Sequence, residues 1–290
     1  MVNPHKHELG RNLSPGLYLV ATPIGSARDI TLRALDVLAQ ADVIAAEDTR
    51  SMRKLMDIHG VALNDRPLIA YHDHNGAQAR PRILRYLAEG MSVAYASEAG
   101  TPMVADPGFD LARAATEAGA MVTAAPGASA VITALTLAGL PTDRFFFAGF
   151  LPNSSGQRKS AMTALIDVPG TLVFYESPKR VAAMLRDAAE VFGDRQAAVC
   201  RELTKKFEEI LRGSLAELAT TCAERSLKGE IVVLVDRGSS SKIRKVDIET
   251  ALRDALKTMS VRDAVDAVSA ALGVARRPVY QMALKMGDQT

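Results

Sequence analysis

The stretch "MSVAYASEAGTPMVADPG" (91–108) places an apolar run directly before a loop rich in proline, glycine and acidic residues. The run 91–96 predicts a buried strand, and the periodicity of 108–120 predicts a helix after the loop. The simplest interpretation of the loop is a tight connection between strand and helix. A second interpretation is a loop that brings its backbone against a ligand, and the flanking sequence decides between the two.

The order of strand, polar loop and helix recurs through the first half of the chain. Apolar runs predict strands within 16–25, 42–50, 67–75 and, after the stretch above, 121–139. This alternation predicts a doubly wound, mostly parallel α/β sheet. Ligands bind beyond the carboxyl ends of the strands in such sheets. At those ends the chain carries the polar loops "TPIG", "EDTR", "HDHN", "SEAGTP" and "PGAS", which favours the ligand-binding interpretation.

The pattern changes near Leu140. An apolar run (143–152) predicts a crossing to a second unit, which has further strands within 170–180, 195–213 and 229–238. A Ser-rich segment, 237–245, predicts a linker before three short helices. The predicted domains are a flexible amino terminus (1–15), an N-terminal α/β domain (16–140), a second α/β domain (141–238) and a C-terminal helix-turn-helix-like module (239–290).

Composition limits the classes of function. The chain has 290 residues, 48% of them hydrophobic and 23% charged, which is typical of a globular protein with more than one packed unit. Its net charge of +2 does not by itself require a nucleic-acid partner. Cys200 and Cys222 lack metal-ligand spacing and are interpreted as reduced thiols of a cytoplasmic protein. No apolar stretch approaches the roughly 20 residues that span a bilayer, so no membrane partner is expected.

The first loop excludes a dinucleotide site. The G-x-G-x-x-G pattern is absent, as is the P-loop, and Pro23 cannot donate a backbone hydrogen bond. A cleft lined by backbone but without a diphosphate cradle suits a ligand that has an adenosine and a small amino-acid tail.

Eight motifs then follow in a specific order: "TPIG", "AAEDTR", "HDHN", "SEAGTPMVADPGF", "PGASAVITAL", "FYESPKR", "RELTKKFEE" and "KGEIVVLV". Together they resemble the tetrapyrrole-methylase-like family of S-adenosylmethionine-dependent methyltransferases. The resemblance extends from Gly16 to about Leu284. It is closest to members that methylate the ribose 2′-hydroxyl of a cytidine in the decoding region of small-subunit (16S) ribosomal RNA. It implies S-adenosylmethionine as cofactor, the small ribosomal subunit or its RNA as partner, and a homodimer.

The resemblance also implies a donor site in a cleft between the two α/β domains. Glu98 stands where the family usually has Asp, and "PGAS" replaces the more common P-G-P-S. The implied cofactor-binding residues come from three loops: Pro23, Ile24 and Gly25; Ser97, Glu98, Ala99, Gly100, Thr101, Val104 and Asp106; and Pro126, Gly127, Ser129 and Ala130.

Transfer of a methyl group to a hydroxyl needs an in-line geometry and benefits from a nearby base, but it requires no metal. The sequence does not single out the base among His72, His74, Asp48 and Glu202. In a strand, His72 and His74 would point to the same side, where they could act as base or bind phosphate. A hydrogen-bonded loop is an equally good explanation of these polar residues.

Cations at the predicted strand exits and in the tail are candidates for RNA phosphate contacts. The tail is expected to resemble a helix-turn-helix and to favour an RNA substrate. The candidates are Arg50, Arg180, Arg201, Lys205, Arg276 and Arg277.

Two other functions stay open on the sequence. One is a methyltransferase of tetrapyrrole or corrin precursors, against which the glycine-poor first loop and the helical tail argue. The other is a nucleic-acid-binding regulator whose α/β part senses a small effector. Such a regulator would not require five polar loops at one sheet edge.

Overall fold

A computed structural model describes residues 13–104, 108–238, 240–272 and 276–287. The chain forms two compact units, one that ends at Arg237 and one that begins at Gly238. Two five-stranded sheets lie within the first unit. No helix in the described ranges combines the length and apolar character needed to cross a bilayer.

The first sheet is entirely parallel, with the strand order β3-β2-β4-β1-β5. This confirms the α/β class predicted from the alternation of apolar runs. Its strands are β1 (Gly16–Val20), β2 (Val43–Ala46), β3 (Leu68–Ala70), β4 (Ser92–Ala96) and β5 (Val122–Ala125). Each is shorter than its apolar run because the polar residues that follow leave the sheet and form the loops.

Four helices cover the two faces of this sheet: α1 (Leu32–Gln40), α2 (Thr49–Ile58), α3 (Gly76–Ala88) and α4 (Gly108–Glu117). α1 and α2 pack on one face and α3 and α4 on the other. Thr31 begins α1 by accepting a hydrogen bond from the Ala34 N–H. Gly60 follows α2 with φ +66°, the left-handed conformation that ends helices.

The second sheet is mixed, with the order β6-β7-β10-β8-β9, and only β6 and β7 pair in parallel. Its strands are β6 (Phe145–Phe150), β7 (Thr171–Glu176), β8 (Gln196–Arg201), β9 (Glu209–Ser214) and β10 (Ile231–Val235). One face is covered by α6 (Ser155–Thr163), α7 (Val181–Phe192) and α8 (Leu215–Ala223).

Helix α5 (Ala130–Ala138) joins the two sheets. It follows β5 of the first sheet in sequence, yet its apolar side packs on the free face of the second sheet. Val131 and Leu135 of α5 share a core with Ala198 and Val232. The opposite side of α5 is open, and Ile132 there is 52% exposed. This arrangement places the β5 loop between the sheets.

The second unit contains α9 (Ser240–Ala255), α10 (Val261–Leu272) and α11 (Arg276–Gly287) around a small core that includes Leu252, Val265 and Val279. The predicted linker over 237–245 is wrong from Ser240 onward, because α9 already begins there. Serines are poor inside helices but favourable at their beginnings, so the Ser-rich run marks a helix start. Ser260 caps α10 as its spacing from Asp263 predicts.

Candidate functional site between the two sheets

The five parallel strands end in one line. In the sheet register Ala70 lies beside Ala46, Ala46 beside Ala96, Ala96 beside Val20, and Val20 beside Ala125. The polar loops that follow the strands therefore begin side by side on a single edge. The sequence predicted this juxtaposition, and the register supplies its geometry.

Hydrogen bonds fasten the β1 loop to the β4 loop. Thr22 and Gly100 exchange two backbone hydrogen bonds, with N···O distances of 2.9 and 3.0 Å. The Thr22 hydroxyl donates to the Ser97 carbonyl at 3.2 Å, and the Ser97 hydroxyl donates to the Gly100 carbonyl at 2.8 Å. Thr22 and Ser97 are buried. The side chain of Ser97 and the backbone N–H of Gly100 are thus used inside the protein.

Gly100 is required by the protein itself. Its φ is +83°, a conformation that side chains rarely adopt, and a Cβ atom there would lie 3.2 Å from Ile24 Cγ2. The sequence suggested that this glycine admits a ligand. Backbone conformation and the Ile24 contact already explain it, so a substitution of Gly100 would not report on ligand binding alone.

The loops after β4 and β5 leave several groups open on the edge. Glu98, Ala99, Pro126 and Gly127 are exposed. The Thr101 hydroxyl donates to the Ala128 carbonyl at 2.8 Å and ties the two loops together.

Helix α5 begins at this edge. Ser129 precedes the helix and makes no side-chain capping bond, so the first N–H groups from Ala130 onward lack a side-chain acceptor at Ser129. Val104 is half-buried and packs on the α5 core. Asp106 lies outside the described residues.

The "TPIG" loop forms the joint with the second sheet. Ile24 is only 7% exposed and packs in the α5 core together with Leu203. The Ser26 N–H donates to Thr204 Oγ1 at 3.1 Å. A Cβ atom on Gly25 would lie 2.5 Å from Lys205 Cγ. Ile24 and Gly25, predicted to bind the cofactor, therefore hold the two sheets together, and Pro23 is half-buried beside them.

Ion pairs fix the 202–205 loop on the opposite side of this joint. Lys205 Nζ donates to Glu202 Oε1 at 2.9 Å and to Glu230 Oε2 at 3.1 Å. Glu202 and Thr204 have φ of +51° and +63°, strain that surrounding contacts must offset. The Lys205 hydrogen bond lowers the pKa of Glu202. Glu202 is therefore held as a carboxylate in a structural network.

Asp48 is also committed to structure. Its Oδ1 accepts the Arg50 N–H at 2.8 Å and the Ser51 N–H at 3.4 Å, which caps α2. The hydrogen bond from the Arg50 backbone is the main cause of its lowered pKa. A carboxylate with a lowered pKa accepts protons less readily than an unperturbed one.

The two histidines do not lie in a strand. β3 ends at Ala70, and 72–75 form a turn in which Asn75 Oδ1 accepts the His72 N–H at 2.8 Å. The expectation that alternation points both side chains one way is therefore wrong. Their rings nevertheless meet edge to face, with centroids 6.0 Å apart. β3 is an edge strand two positions from β4, so the ends of these two strands lie about 10 Å apart.

Three of the six candidate RNA-binding cations have ion-pair partners and side chains that are less than 30% exposed. Arg180 forms an ion pair with Glu176 and donates to the Leu151 and Pro152 carbonyls. Arg201 pairs with Glu209, and Lys205 pairs as described above.

The other candidate cations are more accessible. Arg50 has a side chain that is 94% exposed, at 3.7 Å from Asp48. In the second unit Arg276 pairs with Asp266, and Arg277 is exposed.

Several residues that build the site were not among the predicted site residues. Glu47 Oε2 accepts the Glu98 N–H at 3.1 Å and links the β2 and β4 loops. Thr22 and Thr204 provide the contacts above, and both stand inside recognised motifs, so position within a motif was the available signal. Arg158 forms a buried ion pair with Asp187 between α6 and α7, which no local pattern indicates.

Neither cysteine is placed for chemistry. Both are buried, and burial raises the pKa of Cys200 to about 11, so its thiol stays neutral near pH 7. Within the described part of the chain, no group of three or more His, Cys, Asp or Glu side chains is arranged to hold a metal ion.

Comparisons with known proteins agree with this architecture. Residues 16–219 match the family described as Tetrapyrrole (Corrin/Porphyrin) Methylases, and residues 244–287 match the family described as RsmI C-terminal HTH domain. The chain is 45% identical over 280 residues to ribosomal RNA small subunit methyltransferase I of Mesorhizobium japonicum, which covers 96% of this chain and 94% of that protein.

Solved structures share the fold of the first unit. Cobalt precorrin-4 methyltransferase has a TM-score of 0.57 at 17% identity and covers 76% of this chain and 94% of its own. Uroporphyrin-III C-methyltransferase of Thermus thermophilus, solved with S-adenyl homocysteine, has a TM-score of 0.53 at 19% identity and covers 80% of this chain and 99% of its own. The chain belongs to the tetrapyrrole (corrin/porphyrin) methylase family and, within it, to the group of the ribosomal RNA small subunit methyltransferases I.

Proposed function

We propose that this protein transfers a methyl group from S-adenosylmethionine to the ribose 2′-hydroxyl of a cytidine in the decoding region of 16S ribosomal RNA. The observation that carries the proposal is the 45% identity to a ribosomal RNA small subunit methyltransferase over almost the whole of both chains, tail included. A methyltransferase of tetrapyrrole precursors is less supported. Cobalt precorrin-4 methyltransferase matches 94% of its own length but only 76% of this chain.

The residues at the sheet edge fit such a donor. The exposed residues Glu98, Ala99 and Gly127 are open to an adenosine moiety, and the α5 N-terminus lacks a side-chain cap, which suits a carboxylate. We therefore keep the β4 and β5 loops and the first residues of α5 as the donor site. Pro23, Ile24 and Gly25 shape it from behind by fixing the joint. When bound, the donor supplies an electrophilic methyl group on a sulfonium.

The chain's main contribution to the reaction is position. The bonded Thr22–Gly100 pair, the Thr101–Ala128 link and the 202–205 loop hold the cleft walls at fixed places. A preorganised geometry of this kind supplies a large share of the rate of a bimolecular transfer. Asp48 and Glu202 are assigned structural roles because both carboxylates are bonded and have lowered pKa values.

The C-terminal unit is proposed to bind RNA through α11. Arg276 pairs with Asp266 of α10, but Arg277 stands in the first turn, where a cation opposes the helix dipole, so helix stability does not explain it. Arg277 shares an exposed face with Tyr280 and Leu284, at i+3 and i+7. A cation beside an exposed aromatic suits contact with phosphate and an unstacked base.

We also propose a homodimer that uses β6. This strand is an edge of the second sheet, and Phe145, Phe146 and Phe150 on it are exposed. Long apolar edge strands are normally covered. The expected result is a dimer by sedimentation equilibrium for the wild type and a monomer for Phe150→Arg. Wild-type protein that sediments as a monomer would contradict this.

Methylation of small ribosomal subunits tests the activity. Subunits and naked 16S RNA from a strain without this modification are incubated with protein and radiolabelled donor, and digested RNA is analysed by mass spectrometry. The proposal expects a 2′-O-methylcytidine in the decoding region. In a parallel reaction that contains uroporphyrinogen, label in the uroporphyrinogen and none in the RNA would instead support the precursor methylase. We also propose that the protein acts in the cytoplasm, because ribosomal RNA is its proposed substrate.

A further inference from the structure

An exposed groove runs along the outer side of α2. It has a volume of about 430 Å³ and is lined by Thr49, Arg50, Arg53, Lys54, Asp57 and Leu68. We call this cavity the α2 groove. Three of its six lining residues are cations and one is an acid, so its walls carry a net positive charge.

The groove follows from the amphipathic pattern of α2. Met52 and Met56 are buried against the first sheet. Arg50, Arg53 and Lys54 are spaced i, i+3 and i+4, which places them together on the outer side of the helix. All three are exposed, and packing of the helix does not require their charges.

These cations are available to a ligand. Within the described ranges, neither Arg53 nor Lys54 has a side-chain nitrogen within 4.0 Å of a carboxylate oxygen. Arg50 reaches only its own capping residue, at 3.7 Å, with a side chain 94% exposed. In contrast, Arg180, Arg201 and Lys205 are tied to neighbouring carboxylates.

The groove begins at the rim of the candidate site. Glu47, which immediately precedes the α2 cap, accepts the N–H of Glu98 in the β4 loop. α2 then leads away from that loop for 10 residues, about 15 Å, or about four nucleotide steps of a stacked strand. A strand whose target nucleotide lies in the cleft can therefore continue along the groove.

We propose that the α2 groove binds the phosphate backbone of the RNA strand next to the target nucleotide, with Arg53 and Lys54 as phosphate contacts in addition to Arg50. This inference rests on the proposed function, because it assumes an RNA substrate. Arginine and lysine side chains without internal partners, placed along one line, are the usual means of holding a nucleic-acid backbone without reading its sequence.

The test compares two triple variants with the same loss of charge. The first is Arg50→Gln, Arg53→Gln and Lys54→Gln in the α2 groove. The control is Arg82→Gln, Arg85→Gln and Arg113→Gln on α3 and α4, which cover the opposite face of the sheet. Binding to small subunits is measured by co-sedimentation over a range of salt, and donor binding by calorimetry.

For the groove variant we expect Kd for small subunits to rise by at least about tenfold, and the slope of log K against log salt to fall by about 2. Donor affinity and melting temperature stay at the wild-type values. The control variant keeps the wild-type Kd and slope. Equal losses in both variants would overturn the proposal, because net charge would then explain the effect, and an unchanged groove variant would overturn it as well.

Failure of the proposed function gives a different result. Wild-type protein that binds subunits through the groove without methylating them would refute the activity and leave the groove in place. Wild-type protein that binds neither subunits nor RNA would refute both.

Discussion

Gly25→Ala tests the joint between the two sheets. An added Cβ would lie 2.5 Å from Lys205 Cγ, 2.6 Å from Thr204 Oγ1 and 2.9 Å from the Leu203 carbonyl oxygen. Favourable carbon contacts require about 3.5–4.0 Å, so the 202–205 loop must retreat by about 1 Å. The Leu203 oxygen belongs to the backbone and cannot move by changing a rotamer.

The displacement of the 202–205 loop should lower both the melting temperature and the methylation rate. Overpacking of this kind costs about 1–3 kcal/mol. At about 2–4 °C for each kcal/mol in a domain of this size, the melting temperature should fall by about 2–12 °C. A shift of about 1 Å beside a reacting centre can also reduce the rate by about 100-fold. Calorimetry gives the melting temperature, and initial rates of subunit methylation give the second quantity.

Gly156→Ala is the matched control, because the same methyl group enters open space near the start of α6. It should leave the methylation rate unchanged. Combining Gly25→Ala with Lys205→Ala removes the closest clash, so the two losses should be less than additive. If Gly25→Ala behaves like Gly156→Ala, the joint is not close-packed and does not hold the reacting groups in position.

Three further predictions concern ion pairs and pH. Lys205→Met keeps the aliphatic stem but removes the charge that fixes the 202–205 loop, and should lower kcat about fivefold, the equivalent of about 1 kcal/mol. Arg158→Leu leaves the buried carboxylate of Asp187 with only Lys159 at 3.7 Å and the Ser155 hydroxyl as partners, and should cost about 3 kcal/mol in urea unfolding. Hydrogen bonds from the Ser92 side chain and N–H lower the pKa of Asp42, so its stabilisation is complete above about pH 4 and is lost as pH falls through the lowered pKa.

Each of these has a specific control. Lys205→Arg should keep most of kcat, and an unchanged kcat in Lys205→Met would exclude a role for the charge. Adding Asp187→Leu to Arg158→Leu should recover much of the stability, since apolar replacement of both partners is often neutral. Asp42→Asn should flatten the loss of stability between pH 5 and 3, and an unchanged pH profile would refute the assignment.

The sequence predicted much of the first sheet because its signals are local. Alternating apolar runs and helical periodicity give parallel strands, and parallel strands put their carboxyl-end loops on one edge. Overestimated strand lengths and the mistaken linker at Ser240 share one cause. In sequence, polar residues next to an apolar run look the same whether they belong to the strand or to the loop. Serines likewise look the same whether they begin a helix or lie in a linker.

The individual roles of site residues depended on partners far along the chain. From the sequence, Gly100 and Gly25 were both predicted to be glycines of a ligand-binding loop. In the structure, Gly100 is explained by its φ and by Ile24, and Gly25 by Lys205, 180 positions away. Likewise the sequence did not separate Glu202 from Asp48 as candidate bases, and their hydrogen bonds lower the pKa of both carboxylates, which makes each a weaker base.

By itself, the sequence determined the fold class, the gathering of the polar loops at one edge of the sheet, and the family. These depend on residue order and short-range periodicity, which the chain states directly. Tertiary structure alone decided which loop residues are exposed at the sheet edge and which form the joint. It also separated Arg50, whose charge is open along the α2 groove, from Arg180, whose charge is neutralised by Glu176. The physical reason is that burial and ion pairing are set by atoms brought together across sheets and helices, and no local pattern records those distances.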